Sequence, residues 1–158
     1  VAGEDATSLV RPDGSTVDAV LVAFDPQVDL AVLSAPGLGL PVLEVGESEV
    51  GARGAVLGHP GGGPLEVSPF EVRQRLDAVG TDIYGSPGQR RDVLVLAADL
   101  APGDSGSPLV GTDGRVVGVA FAIAPDRDGV AFALSTDELR DVLARVGDQA
   151  LDAGPCAA

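Results

Sequence analysis

Glycine and proline cut this chain into short apolar runs, and that spacing limits its fold more than any other property. The 158 residues include 22 glycines and 12 prolines, and each run between them is about the length of one strand. Thr7 to Val10 and Thr16 to Phe24 are β-branched or apolar stretches separated by Arg11-Pro12-Asp13-Gly14, whose Asp-Gly pair reads as a hairpin turn. After Asp25-Pro26 the segment Leu30 to Leu33 forms a third strand, closed by Pro36 and Gly37. A second set follows: Ala55 to Leu57, Leu65 to Val67, Phe70 to Val79, Val93 to Ala98, Val116 to Ala124 and Val130 to Leu134, with turns at Gly61 to Gly63, Gly85 to Gly88 and Asp113-Gly114. Six strands at that interval predict a small barrel. One helix is expected near the end, where Ser135 and Glu138 have capping-box spacing, Leu139, Val142, Leu143 and Val146 share a face, and Gly147 stops the pattern. The chain is therefore all-β with one terminal helix. It divides into 1–37 (first strand set), 38–50 (a punctuated linker), 51–134 (second set) and 135–158 (helix and tail).

Charge narrows the partners. A formal net charge of −14 with no lysine at all argues against nucleic acid, which needs a basic stripe, and against attraction to anionic lipid. No apolar run approaches the length that spans a bilayer, and no basic start precedes an apolar stretch as in a signal peptide. The chain holds no methionine and opens on Val1, which reads as a piece of something longer. Its single cysteine, Cys156, either lacks a partner upstream of Val1 or is an idle thiol on a tail.

Chemistry concentrates in Ala101 to Pro108, APGDSGSP. Gly103, Asp104, Ser105 and Gly106 place one hydroxyl in a tight loop between apolar runs. Small residues there let backbone N–H groups converge on a developing oxyanion while the serine oxygen attacks. A plain β-turn rich in turn formers has the same composition, so the motif alone leaves both readings open. Asp29, at the entrance to the third strand, is a solvated loop charge or a carboxylate that orients an imidazole; position alone favours the former.

Four pieces in order, FDPQVDLAVL (Phe24 to Leu33), VLGHPGG (Val56 to Gly62), APGDSGSPLV (Ala101 to Val110) and GRVVGVAFAIA (Gly114 to Ala124), resemble the trypsin-like serine proteases of two β-barrels. DIYG (Asp82 to Gly85) and a terminal helix followed by a cysteine narrow the resemblance to the extracytoplasmic domain of actinobacterial membrane-anchored proteases of the MarP type. The resemblance implies that Ser105 is the nucleophile, Asp29 the carboxylate that holds the base, and the N–H groups of Gly103 and Ser105 the oxyanion hole. Phe121, Ala122 and Ile123 would pair with an extended polypeptide substrate, and Asp99 and Gly129 would approach the specificity pocket. Asp99 there would favour basic side chains, whereas as a turn residue it leaves room for a small or apolar one. No metal or organic cofactor is implied. The parent protein would lie outside a bacterial membrane, behind an anchor.

One departure is severe. The family's general base is a histidine ahead of the aspartate, and the only imidazole here, His59, stands in a Pro- and Gly-rich turn that reads as a loop. The cut appears just after the base, which leaves 1–37 as a remnant of the first barrel. An opening Val-Ala-Gly also resembles a freshly cleaved amino terminus paired with Asp104, but that reading needs a histidine between Val1 and Asp29, and none is present. Three expectations follow for the chain alone: an inactive serine endopeptidase domain, a peptide-binding pseudoprotease, or a structural fragment. An exposed barrel edge would further predict self-association or pairing with a complementary N-terminal segment.

Overall fold

The computed structural model describes residues 2–4 and 6–156; the reading of Val1 as a cleaved terminus therefore lies outside the described residues. The chain forms two compact units, residues 1–42 with 80–89 and 140–158, and residues 43–79 with 90–139.

The first unit is built on an open antiparallel sheet, β1 (Thr7–Val10), β2 (Thr16–Asp25) and β3 (Leu30–Ser34), in that order. Asp13-Gly14 turns the first hairpin as its composition dictates: Gly14 takes φ +82°, and one Asp13 carboxylate oxygen accepts the N–H and the hydroxyl of Ser15 at 2.9 and 2.7 Å. Those bonds favour the ionised form and pull the Asp13 carboxyl below its ordinary value. Alternation along β2 buries Ala19, Leu21 and Ala23 while exposing Val20. The chain's last residues complete the unit, Leu151 donating its N–H to the Leu21 carbonyl at 2.8 Å.

The second unit is a closed barrel with strand order β4-β5-β6-β9-β8-β7. Its strands are β4 (Arg53–Gly58), β5 (Glu66–Thr81), β6 (Pro87–Ala98), β7 (Pro108–Gly111), β8 (Val116–Ile123) and β9 (Val130–Leu134). The β4 to β7 pairing, Ala55 opposite Val110, closes it. Val56, Phe70, Val72, Leu94, Leu96 and Leu109 fill the interior.

Six strands were expected and six form, but they are divided differently. Leu65 to Val67 and Phe70 to Val79 are joined in one strand, β5 (Glu66–Thr81), with Pro69 inside it opposite Ala55; proline inside a strand is tolerated where the ladder does not call on its missing N–H. Its place in the count is taken by β7, four residues too short to stand out in sequence. The turn expected at Gly85 to Gly88 falls earlier, at Asp82 to Ser86, because the Asp82 carboxylate accepts the N–H groups of Tyr84 and Ser86 at 2.9 and 2.8 Å.

Residues 43–50 do more than connect. Val45 bridges to Val116, and buried Ser48 donates its hydroxyl to the Val117 carbonyl at 2.6 Å while accepting the Thr136 N–H at 2.9 Å. Arg75 joins the Ser48 carbonyl to the Asp92 and Asp137 carboxylates. These two partners, Asp92 first, raise its already high pKa further.

The helix α1 (Thr136–Leu143) is shorter than the apolar pattern implied and ends before Gly147. Val142 is buried, but Leu143 and Val146 are exposed. The capping box is half formed: the Ser135 hydroxyl accepts the Glu138 N–H at 3.4 Å. The Glu138 carboxylate instead takes the Asp92 N–H at 2.7 Å, and Ser135 N–H goes to the Asp92 carbonyl. The box is spent on fastening the helix to β6 rather than on closing upon itself. Among the described residues no helix is long and apolar enough to cross a membrane.

Candidate active site

The loop between β6 and β7 is held by a regular set of backbone bonds. Asp104 N–H donates to the Ala101 carbonyl at 3.0 Å, Gly106 N–H to Ala120 at 2.7 Å and Ser107 N–H to Asp104 at 3.0 Å. The Asp104 carboxylate accepts the Ala101 N–H at 2.9 Å, which supplies the partner its sequence position did not reveal. Gly103 and Gly106 take φ +106° and +87°, values only glycine adopts without strain. The pattern alternates. The N–H groups of Asp104 and Gly106 are consumed within the fold, whereas those of Gly103 and Ser105 have no acceptor among the described residues and lie on the exposed side. The Ser105 N–H and the Gly103 N–H two residues before it are thus left without a protein acceptor among the described residues, a condition any donor to a negatively charged oxygen must meet.

Gly58, the last residue of β4, makes this turn possible. A Cβ there would lie 2.1 Å from the Asp104 carboxylate and 2.8 Å from the Ser107 hydroxyl, so the buried carboxylate occupies the space a side chain would need. Sequence reading did not single out this glycine, because the carboxylate that needs its space is distant in sequence.

The Ser105 hydroxyl donates to the Phe121 carbonyl at 3.3 Å. Beside it lies a cleft of about 260 Å³ lined by Leu100, Ala101, Pro102, Asp104, Ser105, Ala120, Phe121, Ala122 and Ile123. β7 covers β8 only as far as Val119, and a bulge sits at Phe121 where β8 meets β9. The Phe121 to Ile123 stretch thus has β9 along one edge and borders the cleft.

Asp99 and Gly129 do not line that cleft. Alternation past the end of β6 turns Leu100 inward and leaves Asp99 exposed, and the Gly129 carbonyl is used by the Ala98 N–H at 3.0 Å. Asp29 is exposed in the β2–β3 turn, with φ +62°, the one non-glycine with positive φ among the described residues. The turn itself is held by Asp25, which is buried, accepts the Gln27 N–H at 2.9 Å and pairs with Arg145 at 2.6 Å. Neither Asp25 nor Arg145 was singled out in the sequence, and only the folding back of the tail brings them together.

His59 follows β4, and its Nδ1–H donates to the Gly63 carbonyl at 2.9 Å. It does not line the cleft. Cys156 is free and exposed, its sulfur 3.9 Å from the Gly3 carbonyl. No three metal-ligating side chains cluster among the described residues.

Residues 1–119 match the model of the trypsin-like peptidase domain. The chain is 38% identical over 160 residues to the serine protease Rv3671c of Mycobacterium tuberculosis, covering 99% of this chain and 40% of that protein. It is 32% identical over 150 residues to a DegP-like protein of Pseudomonas putida described as a periplasmic serine endoprotease, covering 90% of this chain and 30% of that one. The chain thus spans less than half the length of these relatives. The active form of the Rv3671c protease superposes with a TM-score of 0.93 at 37% identity, over 100% of this chain and 71% of that one. Its inactive form gives 0.81 over 93% and 75%, also at 37% identity. The HtrA-type protease AlgW with a decapeptide gives 0.75 at 29% identity, over 91% and 45%.

Proposed function

The chain belongs to the trypsin-like peptidase family, and from that premise we propose that it carries the nucleophile half of a serine endopeptidase that cleaves polypeptides through an acyl-enzyme on Ser105. The observation that carries this reading is the pair of unpaired N–H groups, that of Ser105 itself and that of Gly103, while the N–H groups of Asp104 and Gly106 are engaged. Attack by the Ser105 oxygen on a peptide carbonyl would move negative charge onto the carbonyl oxygen. Two backbone donors fixed in advance stabilise that charge without reorganising, a contribution of about 3–4 kcal/mol for a single donor. The hydroxyl proton must go to a base, and the amine leaves with it. Water then releases the acyl group by the same route, and no metal or organic cofactor is needed.

Asp29 takes the part of the carboxylate that orients the base. Its left-handed backbone in an otherwise extended hairpin is strain of the kind concentrated at functional turns. The family's general base is a histidine, and His59 does not take that part. His59 has Nδ1 committed to Gly63 and stands away from the cleft. The chain alone is accordingly inactive, with Ser105 parked on the Phe121 carbonyl.

The cleft wall is apolar apart from Asp104, whose carboxylate is buried and bonded. Small or medium apolar side chains suit it, and a basic preference through Asp99 does not. An extended substrate would lie along Phe121 to Ile123. That the HtrA-type protease AlgW has been solved with a decapeptide supports a polypeptide ligand. The greater likeness to the active than the inactive form of Rv3671c supports a competent nucleophile turn. The periplasmic description of the DegP-like relative supports a place outside the cytoplasm.

A fluorophosphonate probe tests the assignment. It should label Ser105 rapidly in the intact parent protein, not at all in Ser105→Ala, and slowly in the isolated chain. Rapid stoichiometric labelling of the isolated chain would sink the claim that the base lies elsewhere.

A further inference from the structure

The Gly103 N–H and the Pro102 carbonyl belong to one peptide group, so in its trans form they point in opposite directions. Fixing the carbonyl therefore aims the N–H. The structure fixes it: Gly61 N–H donates to the Pro102 carbonyl at 2.7 Å. Without that bond the peptide could turn over, because the following residue is a glycine and tolerates either sign of φ. A turned peptide would present a carbonyl oxygen where the oxyanion must sit.

The glycine-rich loop that supplies this bond is tightly built. Gly62 and Gly63 donate their N–H groups to the His59 and Pro60 carbonyls at 2.9 and 3.0 Å, and Gly61 is left-handed at φ +62°. The His59 ring closes the loop from the side, Nδ1–H to the Gly63 carbonyl. Contact with the nucleophile turn is close: a Cβ on Gly103 would lie 2.6 Å from the Gly61 nitrogen and 2.8 Å from the His59 carbonyl oxygen. Gly103 thus lacks a side chain for two reasons, its backbone angle and the loop seated against it.

We propose that the His59 to Gly63 loop is the brace that sets the oxyanion peptide, with His59 as a positioning residue that acts through Gly61 and Pro102 and never touches substrate. The only histidine in the chain thereby gains a part in catalysis without serving as the base. The inference rests on the endopeptidase reading, but its structural core stands on backbone bonds that can be measured separately.

The test uses the intact parent protein with His59→Ala and His59→Asn, the asparagine amide being able to reach the Gly63 carbonyl from about the position of Nδ1. In His59→Ala, amide exchange of Gly61 should speed up about tenfold, kcat should fall about tenfold with KM within twofold, and affinity for a peptide boronate should fall in step with kcat. His59→Asn should restore all three. Unchanged Gly61 exchange in His59→Ala overturns the brace whether or not the enzyme turns over. An equal loss in both variants, or a loss confined to KM, overturns the positioning role. If Ser105 of the unaltered protein resists a fluorophosphonate while Gly61 exchange still responds to His59, the endopeptidase reading has failed, and the catalytic part of this proposal with it.

Discussion

The two units solve the same problem, how to end a β-sheet, in opposite ways. The barrel closes on itself, and its interior is sealed: Leu94, Leu109 and Leu134 are each 0% exposed. The three-stranded sheet stays open at β1 and β3, and its unit leaves Val10, Leu40 and Val42 at 72%, 55% and 93% exposed. Closure gives the barrel a rigid frame, and the fold places there the turn of Ser105, whose own N–H and that of Gly103 have no protein acceptor among the described residues. The open unit carries Asp29, the one non-glycine with a left-handed backbone among the described residues. Precision of position goes with a sealed core.

Four substitutions probe that division. The largest effect is expected from Asp29→Asn in the intact parent protein, where kcat should drop about 10⁴-fold while the melting temperature stays nearly constant. A fall in stability with little loss of turnover would make Asp29 a structural residue of the open sheet. Next, Leu94→Ala should remove about 3–5 kcal/mol of unfolding free energy in urea titrations; a loss under 1 kcal/mol would mean the barrel core is not the source of its rigidity. Ser48→Ala comes third, with about 1–3 kcal/mol expected, because it strands the Thr136 N–H and the Val117 carbonyl. Asp29→Gly is the smallest and has the opposite sign. Relief of the left-handed strain should stabilise the chain by up to about 1 kcal/mol. Destabilisation would show that the Asp29 side chain contributes more to its turn than its backbone costs.

How much of this was legible beforehand depended on whether the determinant was local. The Asp13-Gly14 hairpin and the limits of β1 and β9 follow from neighbouring residues, and those expectations match the structure closely. Pro69 misled because proline in a strand is judged by sequence, whereas its tolerance depends on which side the partner strand lies. Ser48 was assigned to a linker since nothing near it in sequence announces the Thr136 N–H, 88 positions away. Helix α1 was drawn too long because apolar spacing records what could be buried, not what the fold covers. At the site, Ser105, Gly103 and Phe121 to Ile123 were named from the motif and the family resemblance, while Gly58 and Asp25 depend on contacts that no local pattern encodes. Asp99 was named through the family resemblance, with a turn residue as the alternative; the cleft is lined instead by Leu100, one residue further along.

The tail that returns to β2 also gives the molecule a clock. Leu151, Gly147 and Arg145 reach Leu21, Val22 and Asp25, so the unit made first on the ribosome is finished last. Every barrel strand, through β9 at Leu134, is synthesised before those residues emerge. With translation at about 5–20 residues per second and units folding as they appear, the nucleophile turn is shaped while the segment around Asp29 still waits for its final strut. A newborn chain therefore passes through an interval in which every barrel strand has been made while the open sheet still lacks the contacts of its tail.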